Sequence, residues 1–89
     1  MDARAHVVVR GRVQGVSFRI ATRDRAGTRG VVGWVRNRPD GAVEAVFEGP
    51  QEAVRSLVDW CGRGPAGAGV ESVEVDWEPL QGENGFAIR

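Results

Sequence analysis

Hydrophobic residues recur with period two in four segments of this chain and with a helical period in two, and the order of those segments restricts the fold more than any other feature. Residues 5–13 (AHVVVRGRV) set Val7, Val9 and Val13 on one side and His6, Val8, Arg10 and Arg12 on the other. Residues 31–37 (VVGWVRN) form a second strand, and residues 42–48 (AVEAVFE) alternate Val43, Ala45 and Phe47 against Glu44, Val46 and Glu48. Between these two, Arg38-Pro39-Asp40-Gly41 is a turn, with proline early and glycine where positive φ is tolerated, so the pair is an antiparallel hairpin. Residues 70–78 place Val73, Val75 and Trp77 opposite Ser72, Glu74, Asp76 and Glu78, a polar face expected in solvent. Phe86 to Ile88 adds a short last strand.

Helical spacing fills the gaps. A first helix runs from about Phe18 to Ala26, with Ser17 as a candidate N-cap, an apolar stripe of Phe18, Ala21, Thr22 and Ala26, and Gly27 or Gly30 to stop it. A second opens at Gly49-Pro50, with Glu52 near the positive end of its dipole. It repeats Val54, Leu57, Val58 and Cys61 at i, i+3, i+4 and i+7, and ends at Gly62. The order βαββαβ predicts an α+β, ferredoxin-like sandwich: an antiparallel sheet with two helices on one face, plus the short C-terminal strand. At 89 residues the chain is expected to be one domain, 1–89. The stretch Arg63 to Gly69 (RGPAGAG) is a surface connection within it.

Composition removes several kinds of chemistry. Twelve basic residues, all Arg, balance twelve acidic ones, which argues against a nucleic-acid binder that relies on bulk charge. Without Lys there is no Schiff-base or ammonium catalysis. One Cys and one His exclude an internal disulfide, a Cys-rich zinc site and His-pair metal motifs, and no carboxylate cluster suggests magnesium. No signal peptide or long apolar run is present, so the chain is read as a soluble, cytoplasmic protein, complete from Met1 to Arg89, with no membrane partner. The charges are unevenly spread. Residues 1–38 hold nine Arg against Asp2 and Asp24, a balance of +7, and residues 39–89 carry the compensating −7. Either the halves interleave and neutralise each other, or the first half builds an anion site.

The segment Gly11 to Arg19 (GRVQGVSFR) favours an anion site. A valine-rich strand enters a glycine-containing bend and then a helix start, where Gly11 and Gly15 let successive N–H groups turn inward beside the free amides of the first turn. Together these suit an anion of phosphate size. It is not a Walker loop, because no G-K-[ST] follows. Arg19 in the first turn opposes the helix dipole, a conflict that a bound anion removes; the alternative is a surface Arg that snorkels away. The other candidates fit structural roles better. His6 lies a strand-length upstream, Cys61 belongs to an apolar stripe, and Ser17 has no base beside it. Asn37, at the end of the second strand, either starts the turn or offers an amide that orients a water.

GRVQGVSFR at 11–19 resembles the first signature of the acylphosphatase family, with Val9 in the apolar place ahead of it. Gly33-Trp34-Val35-Arg36-Asn37, then Gly41, Val43 and Gly49, resembles the second, and Gly85-Phe86-Ala87-Ile88 fits the family's end. The resemblance spans nearly the whole chain. It implies hydrolysis of carboxyl phosphates to a carboxylate and inorganic phosphate, without metal, cofactor or phosphoenzyme. It also implies that the backbone amides of Gln14, Gly15, Val16, Ser17 and Phe18 hold the phosphate with Arg19. Asn37 would position the attacking water, and a phosphate oxygen of the substrate would accept its proton. Inorganic phosphate is then product and competitive inhibitor, the enzyme a monomer, and nucleic acid no partner. The departures are Ala42, where many members carry Ser or Thr, and Gly27 with Arg29-Gly30-Val31, which suggest loose packing at the end of the first helix. The rival expectation is a non-catalytic module on the same fold that binds phosphate or nucleic acid, or a similar domain that works with a partner enzyme. A chain running from Met1 to the last strand favours the free-standing enzyme.

Overall fold

In the computed structural model, which describes residues 1–89, the elements follow the expected order. They are β1 (Asp2–Arg12), α1 (Phe18–Thr28), β2 (Val32–Asn37), β3 (Val43–Pro50), α2 (Gln51–Cys61), β4 (Gly69–Glu78) and β5 (Phe86–Ile88). The strands lie in the order β4-β1-β3-β2-β5. The first four pair antiparallel, whereas β5 runs parallel to β2 and makes the sheet mixed. This is the ferredoxin-like α+β sandwich.

The alternation along each strand decides which side chains meet the helices. Ala5, Val7 and Val9 of β1, Val35 of β2, and Val43, Ala45 and Phe47 of β3 share one buried cluster with Phe18 and Ala26 of α1 and Val54, Leu57, Trp60 and Cys61 of α2. Both helices therefore cover the same sheet face. The sequence pattern placed Val58 on the inner stripe of α2, but Trp60 takes the deeper position at 4% exposure, tilted against Phe18 at 5.4 Å between ring centroids. The end of α1 is not loose. The helix passes through Gly27 to Thr28, Val31 is 2% exposed, and its amide donates to the Ala26 carbonyl at 2.9 Å.

The other sheet face is organised by charge. Arg4 shares a rung with Glu48 on β3 and Glu78 on β4, so strand pairing itself brings the three together. Its guanidinium donates to Glu78 at 2.9 Å and to Glu83 at 2.8 Å, and lies 3.5 Å from Glu48. Glu48 also accepts the Gln81 and Glu83 amides, both at 2.7 Å, which ties residues 79–85 across the sheet. Farther along, Arg36 and His6 both reach Glu44, and Arg10 reaches Glu74 and Asp40. The solvated polar face expected on β4 holds for Ser72, Glu74 and Asp76, all exposed, with Glu74 in an exposed ion pair with Arg10; Glu78 is the exception, half-buried against Arg4. Trp77, placed on the apolar side by the pattern, is 49% exposed beneath the Arg55 guanidinium. The two halves of the chain do interleave their charges, as one of the two expectations held.

Candidate functional site

Residues 13–17 connect β1 to α1, and their shape follows from what fixes their ends. Val13 is 1% exposed and Phe18 2%, so both flanks are anchored in the core while Gly15 and Ser17 between them stay exposed. Gly15 has φ +75°, open to glycine without strain. Ser17 has φ +61°, the single non-glycine residue of the chain with positive φ. Such a conformation is uncommon for serine and persists where the surroundings over-determine it. Ser17 occupies the N-cap position of α1, but its side chain makes no capping hydrogen bond, which corrects the capping role expected of it. Gly11 belongs to the strand rather than to the bend. It marks the bulge where the β1–β4 register shifts, and a Cβ there would meet the Gly69 carbonyl at 2.2 Å.

None of the backbone N–H groups of residues 14–18 donates to a protein acceptor. Five consecutive donors are thus available beside the positive end of the α1 dipole. Arg19 follows them, exposed and engaged in no ion pair.

Asn37 arrives from the hairpin. It pairs with Val43 at the end of β2, and the turn after it is closed by the Gly41 amide to the Arg38 carbonyl at 3.1 Å and the Arg38 amide to the Ala42 carbonyl at 2.8 Å. The Ala42 amide donates to Asp40 at 3.1 Å and, with Arg10, holds that carboxyl below its ordinary value. Gln14 links the hairpin to the loop. Its side-chain amide donates to the Arg38 carbonyl at 2.8 Å and the Ala42 carbonyl at 3.0 Å. A carboxamide with two N–H donors is suited to bridging two carbonyls. The sequence assigned Gln14 only a backbone role, because nothing local shows that its partners lie some 24 to 28 residues away.

A cavity of about 290 Å³ lies where these parts meet, lined by Val13, Gly15, Ser17, Phe18, Arg19, Ile20 and Asn37. Of the residues expected at an anion site, Gly15, Ser17, Phe18, Arg19 and Asn37 line it, whereas Gln14 and Val16 do not. Val13 and Ile20 line it without having been expected. Ala42 does not line the cavity and is 2% exposed.

The remaining nucleophiles and bases lie elsewhere. Cys61, the last residue of α2, is buried on the helix's core side, and burial pushes its thiol up to about 12. His6 pairs with Glu44 on the outer sheet face. Burial alone would raise the Glu44 carboxyl, but hydrogen bonds from His6 and Arg36 outweigh it and hold the group low. No group of three or more His, Cys, Asp or Glu side chains converges anywhere in the chain in a way that could hold a metal ion. No helix is long and apolar enough to cross a membrane.

An arrangement of free amides, one guanidinium and one carboxamide can bind a tetrahedral oxyanion and hold a small polar molecule beside it. Several known proteins with similar chains are described as acylphosphatases. The sequence profile of the family described as Acylphosphatase matches residues 5–88. An acylphosphatase of Pelotomaculum thermopropionicum is 59% identical over 87 residues, 97% of this chain and 95% of that protein. Among solved structures, an acylphosphatase from Bacillus subtilis superposes with a TM-score of 0.93 at 38% identity, covering 100% of this chain and 99% of that one. One from Coxiella burnetii superposes with a TM-score of 0.95 at 34% identity, covering 99% and 93%.

Proposed function

Because the chain belongs to the acylphosphatase family, and is by that membership a hydrolase acting on acyl phosphates, we propose that it splits them by direct attack of water at phosphorus, with the cavity beside Arg19 as its active site. The phosphoryl oxygens accept hydrogen bonds from the amides of Gln14, Gly15, Val16, Ser17 and Phe18 and from the Arg19 guanidinium. The side-chain amide of Asn37 holds the water, with its carbonyl accepting and its N–H₂ donating as the water's orientation requires. The water oxygen forms the new bond to phosphorus while the bond from phosphorus to the acyl oxygen breaks. The carboxylate leaves, and a phosphate oxygen takes the proton of the water. A carboxylate is a good leaving group, so positioning and charge stabilisation suffice. The negative charge is met by amides and a guanidinium, so no metal is required, and Ser17 has no base to activate it as a nucleophile.

The observation that carries this reading is the run of five free amides at 14–18 beside Arg19, with Asn37 in the wall of the same cavity. Gln14 supports the reading from the other side. Its side chain joins the loop to the turn that follows Asn37, which fixes how far the water-holding group lies from the phosphate-holding ones. In this reading residues 1–89 work as one domain, monomeric and cytoplasmic, without nucleic acid as a partner.

Phosphate release from acetyl phosphate, measured beside a phosphomonoester and with exhaustive chelation, tests the proposal. The acyl phosphate should be hydrolysed and the monoester spared, chelator should change nothing, and inorganic phosphate should inhibit competitively. Activity lost in chelator and restored by magnesium or zinc would defeat the metal-free mechanism. Duplex binding that weakens steeply with salt would favour a nucleic-acid module instead.

A further inference from the structure

Helix α1 turns Phe18, Thr22 and Ala26 to the core. At one hundred degrees per residue, Ile20 lies about 200° around the helix from Phe18, on the far side of that stripe. It is 52% exposed among the polar neighbours Arg19, Arg23 and Asp24. Single exposed apolar side chains are ordinary on soluble proteins. Ile20 differs in its location, because it forms part of the wall of the cavity that holds Arg19 and Asn37. The other apolar residues of that wall, Val13 and Phe18, are 1% and 2% exposed and are given over to the core. Ile20 is therefore the one place where the wall can offer apolar surface to a bound molecule. Everything else it presents is an amide, a hydroxyl, a guanidinium or a carboxamide.

An acyl phosphate needs two kinds of partner. Its phosphoryl end takes hydrogen bonds and positive charge, and its acyl end carries hydrocarbon that gains from contact with an apolar side chain. We propose that Ile20 is a specificity-determining residue that contacts the acyl group, so that the enzyme favours acyl phosphates whose acyl part is hydrocarbon over those that carry charge or hydroxyl groups beside the carboxyl phosphate. The inference rests on the cavity being the acyl phosphate site.

Burying one methylene changes an equilibrium constant about fourfold, and against a half-exposed wall about twofold, so two methylenes amount to roughly fourfold. The test is kcat/KM for acetyl, propionyl and butyryl phosphate in the wild type, Ile20→Val and Ile20→Thr. Val and Thr have nearly the same shape and the same branching, and differ in a methyl against a hydroxyl. The wild type should climb roughly fourfold from acetyl to butyryl phosphate, Ile20→Val should keep most of the climb, and Ile20→Thr should be flat. Inorganic phosphate, which has no acyl group, should inhibit the two variants alike. A climb in Ile20→Thr equal to that in Ile20→Val overturns the assignment, and so does a wild type that hydrolyses all three equally well. A flat Ile20→Thr profile with weakened phosphate inhibition would place the effect in the loop and also overturn it. A wild type that hydrolyses none of the three defeats the active-site reading itself, a result distinct from all of these.

Discussion

Arg4 and Arg19 carry the same guanidinium into opposite surroundings. Arg4 lies on the outer sheet face with a side chain 6% exposed and three carboxylates around it, Glu48, Glu78 and Glu83. Arg19 lies exposed at the start of a helix, with no carboxylate partner and five free amides just before it. In the first region strand pairing supplies the counter-charges, and the donors are satisfied within the protein. In the second the fold gathers donors and leaves them unpaired, at some electrostatic cost to itself. A site that must grip an anion requires that imbalance, and a region that only holds the sheet together cannot tolerate it. The contrast predicts that changes at Arg19 affect chemistry with little change in stability, and that changes at Arg4 do the reverse.

The largest effect is expected at Arg19. Arg19→Ala should nearly abolish hydrolysis and weaken inhibition by inorganic phosphate, and Arg19→Lys should rescue poorly because it keeps the charge but loses the planar fork. The denaturant midpoint should stay close to that of the wild type, since the exposed side chain makes no ion pair or hydrogen bond within the protein. A large drop in midpoint would mean that Arg19 is a structural arginine like Arg4. Next comes Arg4→Met, which keeps the stem and removes the charge. Breaking a buried pair costs about 3–5 kcal/mol; here the lower end is expected, because Glu48 keeps its two backbone donors and the other carboxylates can turn to solvent. Chemical denaturation measures that loss, and kcat per folded molecule should be retained. Equal stability with reduced kcat would reverse the roles.

Asn37 tests the division inside the site. Asn37→Ala should lower kcat on the order of 100-fold, because a reacting group is misplaced, while the inhibition constant for phosphate stays near the wild-type value. Phosphate binding lost as completely as in Arg19→Ala would refute the division, and normal turnover would leave Asn37 a turn residue. A smaller effect, roughly tenfold in kcat, is expected for Gln14→Met, which keeps the backbone amide and removes the bridge to the hairpin. An unchanged kcat in that variant would show that the turn holds its distance without the bridge.

What the sequence made legible follows from the range of the forces involved. The strands, both helices and the hairpin turn were readable because alternation, helical spacing and turn chemistry are local. The loop and Arg19 stood out for the same reason, since a glycine bend and a helix start adjoin them in sequence. Long-range features were not readable. Gln14 reaches the hairpin, and Arg4 meets carboxylates 44 to 79 residues away, through a register that no single segment encodes. Ser17 misled because its type suits a cap, whereas the anchored flanks at Val13 and Phe18 force it into a left-handed conformation. Ile20 did give a signal, an apolar residue off its helix's stripe, but only the cavity gives that signal a meaning.

The smallest effect, and the sharpest test of the Arg4 region, is a pH dependence. The Gln81 amide above all, with the Glu83 amide and the Arg4 guanidinium, holds the Glu48 carboxyl below the usual carboxylate range against the opposing pull of burial. The folded state therefore favours the ionised form more than the unfolded state does. That contribution is complete above the ordinary value of an unfolded carboxylate and is lost as pH falls through the lowered folded value. Glu48→Gln cannot take up that proton. Its stability should be below that of the wild type at neutral pH, and the gap should narrow as both are acidified through that window. Glu44, also held low, titrates in both proteins and drops out of the difference. Denaturation series at several pH values measure the gap. A gap that stays constant into acid would mean that Glu48 acts through packing and not through its charge, and the outer face would then be matched to its arginine by shape alone.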